Sequence, residues 1–265
     1  MHLSAERKKE MKMRSKLLKI GAAAVASVLL CGGIFMLLHD DVKMQIQEEK
    51  LKPYTPDFSV VETIENENPS ENESIKIEEN SKENLIRDVR NLNENYSNSV
   101  GWLYIPNTQI NYPVMFSGDN DYYLHRAVDG SYLRVGSVFL DGNCKSDFSG
   151  KYNILYGHNM SDGSMFADVM KYVDNDYFNA HNYALLTTKT DVYRIDFFSL
   201  SQPDSTDSFY DISADFDVWR ENLRRSSYIW RQTEMSENSR FVSLSTCTGS
   251  EGNSRTVLTG IINKL

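Results

Sequence analysis

Two reactive side chains occur where short apolar runs end. Tyr156-Gly-His-Asn-Met160 sets the imidazole of His158 just past Ile154-Leu155, and Leu244-Ser-Thr-Cys247 sets a thiol just past the run that begins at Phe241. A thiol and an imidazole held at strand ends can serve as nucleophile and base, because the thiolate is the attacking species and a neighbouring imidazolium favours it. Arg255 opens the final apolar run, eight residues after Cys247. A loop-back hairpin would bring its guanidinium beside the thiol, where it could stabilise the thiolate or the oxyanion that develops in acyl transfer. Each residue also has a plain structural reading: a cysteine after a strand as a small buried hydrophobe, a histidine as a packing or surface residue, an arginine as a solvated charge. His2, His39, His125 and His181 are left to such readings. Cys144, in the polar stretch Asp-Gly-Asn-Cys-Lys-Ser-Asp, is expected to be an exposed loop thiol without catalytic neighbours. Cys31, Cys144 and Cys247 show no metal-type spacing, so no metal site and no cofactor are expected.

These residues need a β-rich frame. Short runs separated by turn signals read as strands at 101–105, 110–114, 137–140, 152–156, 184–188, 192–198, 240–246 and 256–262. Their number and spacing suggest a closed barrel or a sandwich, and no fixed-period repeat points to a solenoid or propeller. Leu85, Ile86, Val89 and Leu92 recur at helical spacing, giving a helix from Asn80 to about Tyr96 with Asn80 and Glu83 as a capping pair. Phe216, Trp219 and Leu223 place a surface helix within Asp215–Trp230.

The chain has 265 residues, 40% apolar and 25% charged, enough for one or two domains with a full core. Its formal charge of −9 argues against nucleic acid as a partner. That charge is uneven: +5 over residues 1–38, −8 over 39–100 and −6 over 101–265. Residues 20–38 carry no charge, and as a helix would span roughly 28 Å, close to the thickness of a bilayer core. All seven basic residues of the head precede this segment, and Asp40-Asp41 follow it. The positive-inside rule then keeps the N-terminus cytoplasmic and puts the rest outside. A cleaved signal peptide would end in small residues, but Met36-Leu-Leu38 closes this one. A lipoprotein signal is imperfect because Leu30 precedes Cys31, and a buried cytosolic helix sits poorly with the basic-to-acidic flanks. The expected organisation is a basic head (1–19), a transmembrane signal anchor (20–38), an acidic flexible stalk (39–81) and an extracellular catalytic domain (82–265). The stalk reading rests on the polar tract Glu-Asn-Glu-Asn-Pro-Ser-Glu-Asn-Glu-Ser at 65–74.

Leu-Ser-Thr-Cys247 with Arg255 on the next strand and Tyr-Gly-His-Asn-Met upstream resembles a sortase, and more narrowly a class B sortase. Val100-Gly-Trp-Leu-Tyr-Ile-Pro106, Ile110-Asn-Tyr-Pro-Val114, Asp119-Asn-Asp-Tyr-Tyr-Leu124 and Gly136-Ser-Val-Phe-Leu-Asp141 carry the resemblance over residues 82–265. It implies a mainly β fold: a closed eight-stranded barrel with an N-terminal helix and a helix inserted before the catalytic-cysteine strand. It also implies a membrane-anchored cysteine transpeptidase of a Gram-positive surface. Such an enzyme cleaves an Asn-Pro-x-Thr-type sorting signal of a secreted protein after Thr and passes the acyl group to a peptidoglycan amine.

Carried over by residue, the resemblance makes Cys247 the nucleophile, His158 the general acid/base and Arg255 the holder of substrate backbone and oxyanion. Asn120, Leu124, Tyr156 and Ser245 become substrate contacts, although Leu124 and Tyr156 read equally well as core packing. Phe209 or Tyr210 is placed at the groove. Thr248 departs from the acidic residue common after the cysteine, and the Cys247–Arg255 loop is short. The alternatives are another cell-wall cysteine enzyme (a peptidoglycan peptidase or L,D-transpeptidase), a pilus-polymerising sortase, or a stalked module without activity.

Overall fold

The computed structural model describes residues 41–64, 74–248 and 252–265, together with Arg7, Met13, Lys16, Leu18, Lys19 and Ser27. The expected head and membrane span thus lie outside the described residues, apart from those isolated positions. Among the described residues no helix is long and apolar enough to cross a membrane. The chain divides into a unit Met1–Glu49, helical over 41–49, and a unit Lys50–Leu265 that carries the fold. The helix continues to residue 51 and is labelled α1 (41–51).

A two-stranded ribbon, β1 (Glu62–Ile64) and β2 (Ser74–Lys76), leads into α2 (Glu79–Asn95). The strands that follow are β3 (Ser99–Tyr104), β4 (Asn111–Met115), β5 (Val138–Leu140) and β6 (Tyr152–Tyr156). After the short helix α3 (Asn175–Ala180) come β7 (Tyr183–Thr188), β8 (Val192–Ser201), α4 (Phe216–Ser226), β9 (Ser227–Trp230), β10 (Phe241–Cys247) and β11 (Arg255–Lys264). The sheet runs β11-β10-β6-β5-β4-β3-β7-β8, and β8 pairs back onto β11, which closes an eight-stranded barrel as expected. It is mixed: β4–β5 and β10–β6 are parallel, and the other barrel pairings are antiparallel. Closure brings two backbones close together at the Thr259/Gly260 register shift, where a Cβ on Gly260 would sit 2.6 Å from Ile195 and 2.8 Å from the Asp196 carbonyl. Only glycine fits there.

The apolar stripe of α2 (Leu85, Ile86, Val89, Leu92) is fully buried in a cluster with Trp102, Met115, Tyr183, Leu185 and Val192. The helix starts at Glu79, and Glu78 at its N-cap makes no side-chain capping bond, so the Asn80/Glu83 box is not used. α4 buries Phe216, Trp219 and Leu223 against Tyr152, Phe198 and Phe241, with the Trp219 and Phe241 rings 4.6 Å apart.

Two expectations are revised. The second helix stops at Ser226, where the Ser226 and Ser227 hydroxyls donate to the Leu223 carbonyl, and Ser227–Trp230 becomes β9 on the edge of β8. Aromatic and β-branched side chains favour the strand, and Trp230 sets its edge on Phe198 at 5.2 Å. The flexible stalk, expected over 39–81, gives way to ordered structure before its end. Leu51 and Phe58 are buried in the α2 cluster, the Phe58 ring stacks on Tyr104 at 4.3 Å, and Lys50 pairs with Asp129 at 2.6 Å. Burial opposes ionisation of Asp129, but the Lys50 and Ser131 hydrogen bonds outweigh it and pull its pKa down to about 2.

Phe58→Ala in the full-length chain is expected to lower the melting temperature by at least about 5 °C, from the loss of a buried aromatic side chain. Melting unchanged within a degree or so would mean that residues 50–61 do not hold to the barrel.

Candidate active site

The site is assembled by strand register. β6 and β10 run parallel with Tyr156 opposite Ser245, and two residues further along each chain stand His158 and Cys247. β10 and β11 run antiparallel with Cys247 directly opposite Arg255. Because side chains alternate along a strand, Ser245 and Cys247 share one face, and Tyr156 continues onto the face of His158. Side-chain bonds extend the ladder past the strand ends. Thr246 Oγ1 donates to the Gly157 carbonyl at 2.8 Å, and Asn159 Nδ2 donates to the Cys247 carbonyl at 3.0 Å.

His158 is half-buried, and its Nε2 lies 2.9 Å from the Leu124 carbonyl. A carbonyl only accepts, so Nε2 carries a hydrogen and Nδ1 is left to take up or release a proton. The Leu124 carbonyl is crowded against Gly136, whose φ is +60° and whose added Cβ would meet that oxygen at 2.4 Å. Burial lowers the His158 pKa. The Leu124 hydrogen bond acts against this, while the nearby positive charges of His125 and Arg134 add to it. The His125 ring stacks on His158, with centroids 5.6 Å apart and 23° between planes.

Arg255 is braced by the connection between β8 and α4. Its backbone N–H donates to the Pro203 carbonyl at 2.9 Å, Asp204 bridges Ser254, and Ser205 N–H donates to the Asn253 carbonyl at 2.8 Å. The guanidinium donates to the Ser254 carbonyl at 3.2 Å. Thr248 is tied into the hairpin: its N–H donates to the Ser254 carbonyl, and its hydroxyl meets those of Ser254 and Thr256 at 3.2 and 3.1 Å.

All seven residues singled out from the sequence (Asn120, Leu124, Tyr156, His158, Ser245, Cys247 and Arg255) line one cavity of about 440 Å³. That volume suits a peptide segment or a small ligand. Tyr210 also lines it and shares a hydrogen bond with Ser245 (2.9 Å), whereas Phe209 is buried against α4. A larger hollow of about 1060 Å³ beside α4 contains no thiol or imidazole. With a thiol, an imidazole and a guanidinium around one cavity, the arrangement can attack a carbonyl carbon, hold the oxyanion and move a proton.

Sequence reasoning missed Asp141, whose carboxylate accepts from Tyr156 and Asn120 at 2.9 Å each. It ends the Gly136–Asp141 motif, but a lone acid after an apolar run gives no sign of its partners. His125, left as an ordinary histidine, packs on His158. Cys144 is corrected: it is 7% exposed, because the turn from Asp141 folds its thiol back onto the Tyr152 carbonyl, and burial raises its pKa to about 11. Among the described residues no group of three His, Cys, Asp or Glu side chains could hold a metal ion.

No family model matches the chain. Sortase B of Listeria monocytogenes is 37% identical over 168 residues, 61% of this chain and 66% of that protein. Sortase B of Staphylococcus aureus is 26% identical and 62% covered, so the chain spans just under two thirds of these curated relatives. Among solved structures, the Listeria sortase B shares 35% identity over 99% of its chain and 66% of this one, with a TM-score of 0.57. A Staphylococcus aureus sortase B–substrate complex gives a TM-score of 0.64 at 25% identity, covering 68% of this chain and 86% of that one. A Streptococcus pyogenes class B sortase involved in pilus biogenesis gives 0.61 at 30% identity, covering 66% and 97%.

Because the folded state disfavours the imidazolium of His158, the unfolded chain binds a proton first as pH falls below the ordinary value of 6.5. Stability from this group is complete above that pH and declines below it. Between pH 7 and pH 5 the wild-type melting temperature should therefore drop further than that of His158→Gln, which stays neutral. Equal drops in both proteins would show that the histidine is not held neutral by burial.

Proposed function

The chain belongs to the class B sortase family, and from that premise we propose that it is a membrane-anchored cysteine transpeptidase acting on secreted proteins that carry an Asn-Pro-x-Thr-type sorting signal. The observation that carries the reading is the register that sets Cys247 opposite Arg255, with His158 two residues past the end of the parallel neighbour β6 and lining the same cavity. The Cys247 thiolate attacks the carbonyl carbon of the signal's Thr, and Arg255 donates hydrogen bonds to the oxyanion. In the fraction of enzyme where His158 has taken the Cys247 proton, it gives that proton to the departing amine, so the peptide C–N bond breaks and a thioacyl bond to Cys247 remains. An incoming amine then attacks that thioester, His158 takes up its proton, and the thiolate is released.

Asn120, Leu124, Tyr156 and Ser245 are the substrate contacts in this reading, and the acceptor is a peptidoglycan amine. Residues 20–38 form the anchor, with the N-terminus cytoplasmic and the catalytic domain outside. Pilus assembly is a second reading, favoured by the similarity to the Streptococcus pyogenes enzyme. In that case an amine of another secreted protein replaces the wall amine.

The test uses the full-length chain in detergent with sorting peptides, mass spectrometry and added amines. An acyl adduct on Cys247, cleavage after Thr and transfer to amine are expected. Cys247→Ala should form no adduct, and His158→Ala and Arg255→Ala should each lose at least about 10²-fold in turnover. Hydrolysis of muropeptides without any sorting-peptide adduct would move the chain to the peptidoglycan-enzyme alternatives. Near-wild-type turnover in a variant would remove that residue from its role.

A further inference from the structure

Asp141 is 5% exposed, follows β5 directly and lines the catalytic cavity. Both of its oxygens act as acceptors. Oδ1 takes the Asn143 backbone N–H (2.8 Å) and the Asn143 side-chain amide (3.1 Å). Oδ2 takes the Asn120 amide and the Tyr156 hydroxyl, each at 2.9 Å. Asn120 cannot turn over, because its own Oδ1 accepts the Gly142 N–H at 2.7 Å.

This arrangement fixes the direction of every bond. A carboxylate offers no hydrogen, so Tyr156 must donate its single O–H to Asp141 and turn its lone pairs towards the cavity. Asn120 gives one N–H to Asp141 and retains the other. Burial and the Asp141 charge hold the Tyr156 hydroxyl far above its ordinary pKa, so it remains a donor. Tyr156 and Ser245 lie one two-residue step, about 7 Å, from His158 and Cys247 along their strands. Asn120 and Tyr156 line the same cavity as Cys247, within which the side chain next to an attacked carbonyl must also sit.

We propose that Asp141 is a positioning residue that fixes the hydrogen-bond polarity of this subsite, one acceptor at Tyr156 and one donor at Asn120, and thereby selects a hydroxyl-bearing side chain at the residue acylated onto Cys247. A hydroxyl satisfies both groups, donating to Tyr156 and accepting from Asn120. An apolar side chain of the same shape strands both once the peptide has displaced water. The inference rests on the sorting-signal reading above.

The test compares kcat/KM for acylation of the full-length chain by two peptides that differ only in Thr or Val at the acylated residue. Wild type should prefer Thr by at least about tenfold. Asp141→Asn keeps the shape, but its amide can donate as well as accept, which frees Tyr156 to reverse. The Thr/Val ratio should fall at least about fivefold in Asp141→Asn, and likewise in Tyr156→Phe, which removes the acceptor. The alkylation rate of Cys247 by iodoacetamide and the melting temperature identify a misfolded variant, and the other variant then decides. A loss equal for both peptides, or an unchanged ratio in a folded variant, overturns the proposal and leaves the sorting reading intact. A wild-type chain acylated by neither peptide overturns both.

Discussion

Everything at the site hangs on a hydrogen-bond ladder that does not stop where the strands stop. The Tyr156–Ser245 and Cys247–Arg255 pairs fix three backbones in register, and the bonds from Thr246 and Asn159 carry that register one turn further. A thiol on an ordinary loop would need its own packing to stay near an imidazole. Here the same backbone bonds that close the barrel hold the thiol, so positional order at the site derives from the stability of the sheet. The barrel is in turn locked by the β8–β11 closure, which tolerates no side chain at Gly260.

Polarity around the cavity is organised in two separate layers. On one side the Leu124 carbonyl settles which nitrogen of His158 carries hydrogen, and Gly136 makes room for that carbonyl. On the other, the Asp141 carboxylate gathers Asn120, Asn143 and Tyr156 into one network. Both use an acceptor-only group to impose direction on partners that could otherwise point either way. Helices α2 and α4 lie outside these layers and bury the apolar outer faces of the strands.

Much of this was legible from residue order. The strand runs of 152–156 and 241–247 match the alternation and turn signals to within a residue, and the thiol, imidazole and guanidinium were identifiable because each borders such a run. What was hidden depends on distance along the chain. The parallel β6–β10 pairing joins segments some ninety residues apart, and no local pattern encodes it. Leu51 and Phe58 lie in a short stretch of mixed composition, too brief for a periodic pattern, so a composition-based reading merges them with the acidic tract that follows. Cys144 misled for the same reason: its polar neighbours form a turn, and the turn rather than the composition decides which way the thiol faces. The shift from helix to strand at Ser227 depends on serine hydroxyls closing α4, a detail below the resolution of hydrophobic periodicity.

The connection between β8 and α4 touches the site twice. Pro203 and Ser205 hold the backbone around Arg255, and Tyr210 bonds to Ser245 in the cavity wall. A segment that shapes the groove and also holds the Arg255 backbone cannot be exchanged as an independent module. Grafting a foreign loop there to alter peptide choice would carry the arginine along with it.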